Sequence, residues 1–228
     1  IDFTDGLQVV RKMDGGWRLY GIVQHNPEQG STNVTRRPLD YTDSSTRQTL
    51  FIALQNKQAE GSFVQRGVDL TVIPGALLVT GAANGPREDY YGMVGRMALR
   101  WPEVDRGTRF LWGLEVGYAP NTPAQSALKL GGIERAPGIA WQTSFNLIDI
   151  QPNHSIGLVL GEADAGWLLS PDFRENERLA EIRYQWKISK DLSLESRVRE
   201  RVELDKKTTA TRRREDTDYY VRLTYKFN

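Results

Sequence analysis

Across the last residues, Tyr219, Val221, Leu223, Tyr225 and Phe227 alternate with Tyr220, Arg222, Thr224, Lys226 and Asn228. Successive side chains of a strand point to opposite faces, so this period predicts a strand with one apolar, aromatic-ended face and one largely polar face. The same period returns upstream. Ile182, Tyr184, Trp186 and Ile188 alternate with Arg183, Gln185 and Lys187, and Leu192, Leu194, Val198 and Val202 with Glu195, Arg197, Arg199 and Arg201. Phe110, Trp112, Leu114, Val116 and Tyr118 alternate with Arg109, Gly113, Glu115 and Gly117, while Tyr91, Met93, Met97, Leu99 and Trp101 lie opposite Gly92, Arg96 and Arg100. A helix over Leu179–Leu204 is the rival. The positions three and four after Ile182 are Gln185 and Trp186, and those after Trp186 are Ser189 and Lys190, so no apolar stripe forms at helical spacing.

Repeated one-sided alternation is what a transmembrane β-barrel requires, with lipid on one face of every strand and the lumen on the other. The expected fold is therefore an all-β, transmembrane antiparallel β-barrel of the outer-membrane type. Alternation and breaker residues give about twelve strands, over 7–11, 17–25, 47–57, 66–73, 76–84, 90–101, 108–119, 137–149, 154–163, 178–188, 191–203 and 217–227. Around Trp17–His25 and Arg47–Lys57 both faces carry apolar residues. Connections alternate between short (Ser189–Asp191, Gln151–Asn153, Pro102–Thr108, and Pro74–Gly75 as a two-residue turn) and long (Gly166–Glu177, Pro120–Ala136). With both ends of the chain in the periplasm, the short connections become periplasmic turns and the long ones external loops. The polar stretch Asn26–Thr46 breaks this order, being long on the short-turn side. Three explanations stay open: a miscount of early strands, segments of a larger barrel outside this chain, or a periplasmic extension. The whole of 1–228 reads as a single barrel domain, with 26–46 a connecting segment.

Composition limits the alternatives. The chain has 228 residues, 39 % hydrophobic, with a mean hydropathy of −0.51. No run approaches the roughly 18 apolar residues of a membrane-spanning helix. A polar lumen face dilutes hydropathy in a barrel just as a polar surface does in a soluble protein. With no cysteine there is neither a disulfide nor a thiolate metal site, and a net charge of +1 gives no bias toward nucleic acid. Ile1–Thr4 has neither the basic start nor the apolar core of a cleavable signal, so for an exported protein the numbering is expected to begin after processing.

Val68–Gly85 (VDLTVIPGALLVTGAANG), Tyr91–Pro102 (YGMVGRMALRWP), Phe110–Tyr118 (FLWGLEVGY), Trp141–Leu158 (WQTSFNLIDIQPNHSIGL) and the terminal DYYVRLTYKF are similar to the phosphate-selective porins, the outer-membrane porins O and P, as is the opening DGLQV at Asp5–Val9. The resemblance spans Arg66 to Phe227. It implies a homotrimeric channel of up to 16 strands in a bacterial outer membrane, contacting its lipids and lipopolysaccharide and passing anions or small polar solutes. The chain departs from that pattern in its short length and in ending on Asn228 rather than an aromatic. The family's phosphate-binding lysines and arginine ladder are not carried over to positions here.

The basic residues on polar faces are the candidate selectivity groups: Arg96, Arg100, Arg109, Arg183, Lys187, Arg197, Arg199, Arg201, Arg222 and Lys226. A ring of such charges in a low-dielectric wall raises local anion concentration. The plainer expectation for any one of them is cross-strand pairing with Glu115, Glu181, Glu195 and Glu203. Arg212, Arg213 and Arg214, with Lys206 and Lys207, form a basic cluster on the last loop, read first as solvated charge and second as a site for lipopolysaccharide phosphates. Trp101, Trp112, Trp141, Trp186, Tyr225 and Phe227 are expected at membrane interfaces. On the lumen face only Tyr220 and Tyr20 are aromatic, which disfavours a sugar slide. His25 and His154 stand alone, so neither a metal site nor a catalytic triad is expected, and no cofactor. Gly92, Gly95, Gly113 and Gly117 read as sites of curvature or close packing. The expected function is passive diffusion without an enzymatic step. The alternatives are a non-conducting barrel acting as scaffold or anchor, separated by conductance, and a water-soluble ligand carrier.

Overall fold

The computed structural model describes residues 5–26, 47–58, 61–78, 86–105, 107–169 and 175–227. Among the described residues, eleven strands follow one another in a single antiparallel sheet whose spatial order is the chain order: β1 (Asp5–Lys12), β2 (Trp17–Asn26), β3 (Arg47–Lys57), β4 (Phe63–Leu78), β5 (Arg87–Asp105), β6 (Thr108–Asn121), β7 (Ile139–Gln151), β8 (His154–Ala163), β9 (Glu177–Lys187), β10 (Leu192–Glu203) and β11 (Glu215–Tyr225). The one helical element among the described residues is a 3-10 turn at Asp14–Gly16. No helix among the described residues is long and apolar enough to cross a membrane.

The expected strands 66–73 and 76–84 are one strand. Pro74–Gly75 is not a hairpin turn but a bulge inside β4, where the register jumps from Ile73↔Tyr90 to Leu77↔Glu88. Proline has no amide to give the ladder, Gly75 takes φ +61°, and its N–H donates instead to Asp89 Oδ1 on the adjacent strand (2.9 Å). Residues 79–84 lie outside the described residues. Removing that turn resolves the parity conflict. The strand ends that border 13–16, 58–62, 106–107, 152–153 and 188–191 lie at one end of the sheet, and those that border 27–46, 79–86, 122–138, 164–176 and 204–214 at the other. The stretch 27–46, itself outside the described residues, therefore joins two strands among the long connections. β1 starts at the long-connection end and β11 finishes at the short-turn end, which corrects the expectation of both at one side.

Closure is not seen. β1 and β11 each pair on one side only, and an odd number of antiparallel strands makes these two edges run in the same direction.

The register sorts side chains by face. Leu19, Leu54, Val68, Gly95, Val116 and Trp141 lie in one row across β2 to β7. Ala53, Asp69, Val94, Gly117, Ala140, Ala163 and Glu177 form a row on the opposite face. Nearly all large exposed hydrophobics of the strands belong to the first face, whereas buried strand residues concentrate on the second. In a single sheet this asymmetry means curvature, with the crowded, polar face inside. A small apolar core sits on that inner face near the long connections: Leu77, Tyr90, Ala119, Ala140, Ala163, Leu179 and, from the β8–β9 connection, Trp167.

Candidate functional site: the inner face and its strap

Inward projection places arginines from adjacent strands beside buried carboxylates. Glu181 on β9, 2 % exposed, meets Arg183 (2.7 Å) on its own strand and Arg199 (2.5 Å) and Arg197 (3.8 Å) on β10. Glu177, fully buried, lies 3.4 Å from Arg201 and 3.3 Å from Arg214. Glu195 takes Arg222 at 3.2 Å and Arg183 at 4.0 Å. Arg197 and Arg222 both stand over the Tyr220 ring, at 4.8 and 5.7 Å. The structure thus joins five of the anticipated cations, Arg183, Arg197, Arg199, Arg201 and Arg222, into one ladder across β9–β11. Glu177, Glu181 and Glu195 interleave with them, and Glu203, Asp216 and Asp218 share the same inner face, so the ladder is close to charge balance.

The other candidates stand apart. Arg96 on β5 pairs with buried Asp69 and lies 3.7 Å from Glu115. Arg109 pairs with Asp149 at 2.5 Å, and Arg100 donates to the Gly61 carbonyl at 3.2 Å. Lys187 and Lys226 make no ion pair among the described residues. Cross-strand pairing therefore describes most of the arginines, with partners that include Asp69, Glu177 and Asp149 in addition to the expected Glu115, Glu181 and Glu195. In the last loop Arg214 is neutralised by Glu177 and Asp216 (3.4 Å), while Arg212 and Arg213 remain exposed. That loop is tied to its neighbours through Thr208, which donates to Lys129 O (backbone 2.8 Å, hydroxyl 3.0 Å), and through a reciprocal Asn176–Asp205 pair.

The outer face carries the aromatics in two bands. Trp101, Phe110, His154, Trp186, Tyr225 and Phe227 lie toward the short turns; Tyr91, Tyr118, Trp141 and Tyr219 lie toward the long connections. Trp101 and Phe110 are 5.1 Å apart, His154 and Trp186 5.3 Å, Tyr225 and Phe227 4.8 Å. Trp112 sits between the bands, and its indole N–H donates to Thr143 Oγ1 on β7 (2.8 Å), as a polar group away from water requires. His154, whose Nδ1 is hydrogen-bonded to the Tyr184 hydroxyl (2.5 Å), belongs to the band at the short-turn end. The side chain of His25 lies outside the described residues, and no group of His, Asp or Glu among the described residues could hold a metal ion.

One element of the inner face was not anticipated. Asp164–Leu169, the start of the β8–β9 connection, folds back as a strap over β5 and β6. Its backbone is fixed at both margins. Asp164 N donates to Ile139 O (2.9 Å), Ile139 N to Asp164 Oδ2 (3.0 Å), Gly166 N to Pro137 O (2.8 Å) and Leu168 N to the Tyr90 hydroxyl (3.0 Å). Trp167, 4 % exposed, lies where a Cβ on Gly117 would be, 2.4 Å from the ring, and Leu169 takes the space over Gly92, 2.3 Å from its Cδ1. The close-packing reading of these two glycines holds; around Gly95 a Cβ would meet nothing within 4 Å. Phe51, Tyr90 and Trp167 add aromatics to the inner face; Tyr90 and Trp167 are buried and so offer no sliding surface. Burial pushes the Asp164 carboxyl above its ordinary range, against the pull of the Ile139 amide and with repulsion from Glu162 and Asp205. A loop tryptophan beside Gly166, with glycines on two adjacent strands read as close-packing sites, was the available sequence signal.

No family model matches the chain, and neither a curated protein nor a solved structure matches it.

Proposed function

We propose that this chain forms the wall of an outer-membrane β-barrel that passes small polar solutes by diffusion, with a preference for anions. The observation that carries the reading is the outer face, apolar over most of its strand positions, interrupted by charges such as Arg66, Glu162, Arg178 and Glu200, and bordered by aromatic bands at both ends. Tyr91 and Trp101 are ten positions apart on β5, about 33 Å of strand at roughly 3.3 Å per residue. A tilt of about 40° reduces this to about 25 Å, the height of the apolar band of an outer-membrane barrel. A water-soluble protein rarely leaves so large an apolar surface open. The inward arginines of β9–β11 support the anion preference, since fixed charge in a low-dielectric wall biases which ion enters; Glu177, Glu181, Glu195, Glu203, Asp216 and Asp218 on the same face oppose it. The likeness to phosphate-selective porins agrees with this reading and adds a homotrimer, which mass measurement of the detergent-solubilised complex tests.

A second reading, a non-conducting barrel that serves as an anchor, is favoured by the strap and by the buried carboxylates, which thicken the inner side. Purified protein in a planar bilayer separates the two: discrete, salt-dependent current steps belong to the channel and their absence to the anchor. Both readings fall if the folded chain partitions with the aqueous fraction after lysis.

A further inference from the structure

The strap alternates in a way that assigns each residue a task. Trp167 and Leu169 turn toward the sheet and seat over Gly117 and Gly92, where any side chain would collide with them. Leu168 lies between them with its amide held by Tyr90, yet its side chain is 43 % exposed. An extended tripeptide pinned at its first and third side chains must present the second away from the surface it lies on. Gly166 is equally committed: a Cβ there would lie 2.6 Å from the Pro137 carbonyl and 2.7 Å from Thr122 Cγ2. The strap is thus wedged between the β6–β7 connection and the inner wall, with few ways to move aside.

We propose that Leu168 is a solute-facing, specificity-determining residue, the apolar point of a fixed constriction on the inner face. This rests on the reading of the chain as a channel wall and deepens it. The balance of arginines and carboxylates on β9–β11 sets the sign of the ion that gathers in the lumen. Leu168 sets what a solute must shed to pass, because an apolar narrowing disfavours water and anything that holds water tightly. It makes no polar side-chain contact, so a charge placed there acts on the passing ion and breaks nothing.

The experiment is single-channel recording in a salt gradient for wild type, Leu168→Glu, Leu168→Arg and, as a surface control, Ile133→Glu at a 93 % exposed position on the β6–β7 connection. Gly117→Leu, which displaces Trp167, is the fifth variant. Melting in detergent verifies that each variant is folded. The expected result is a shift of the permeability ratio by roughly threefold or more toward cations in Leu168→Glu and toward anions in Leu168→Arg. Ile133→Glu should stay at wild type, and Gly117→Leu, which lifts the strap off the wall toward the solute, should have lower conductance. Two charge variants indistinguishable from Ile133→Glu, in a wild type that conducts, would overturn the assignment alone. A wild type that does not conduct would remove the channel reading, and the constriction with it.

Discussion

Gly117 and Gly92 carry their meaning in what they lack. Each leaves on the inner face a hollow that a strap side chain fills, so the indole of Trp167 loses nearly all its contact with water. Trp167→Ala should cost about 3–5 kcal/mol, the range for emptying a large aromatic from a packed site. Gly117→Val should cost a comparable amount by blocking the same socket; thermal or denaturant unfolding in detergent measures both, and their effects should not add. The strap also carries a pH dependence. The Asp164 carboxyl is raised by burial, so its contribution to stability is complete below its unfolded pKa and is lost as pH rises through the folded value. As pH rises above the ordinary carboxylate range, the unfolding midpoint should fall relative to Asp164→Asn, in which that slope disappears. Equal slopes in the two proteins would remove Asp164 from the account.

At the scale of elements, legibility followed the contrast between faces. β5 to β11 were readable because the outer face is apolar and the inner face polar along most of their length. β2 and β3 were ambiguous because Tyr20, Ile22, Phe51 and Ala53 put apolar side chains on the inner face too, and a period of two cannot be read when both phases are apolar. Pro74–Gly75 misled for a different reason. The dipeptide is a turn signal, and only the Asp89 carboxylate on the neighbouring strand decides that the chain bulges and continues. The ladder was legible as a set of inward arginines but not as a network. Which glutamate serves three arginines depends on the β9–β10 register, where Glu181 stands opposite Arg199. Glu181→Gln leaves Arg183, Arg197 and Arg199 without their shared counter-charge. It should lower stability by about 3 kcal/mol, as breaking a buried pair does, and should raise anion preference in reversal-potential measurements. Unchanged stability with unchanged selectivity would reduce the ladder to surface charge.

For the whole molecule, the decisive quantity is what the two edge strands face. β1 and β11 present unpaired backbone rows beside Leu7, Val9, Val221 and Leu223, and lipid has no group that could satisfy those amides. A membrane location therefore demands strand neighbours for both edges. Because β1 and β11 run in the same direction, their direct union would be a parallel seam, while antiparallel neighbours would have to run from the short turns toward the long connections. The absence of cysteine makes the distinction clean to test. Val9→Cys combined with Val221→Cys should resist oxidation to an intramolecular disulfide if other strands intervene, and should cross-link readily in a seam. In either arrangement, amide exchange of β1 and β11 in a bilayer should be as slow as that of β6 and β7. Edge amides that exchange at the rate of the 204–214 loop would mean that water, not lipid, lies against these strands. The apolar outer face would then need a protein partner to cover it.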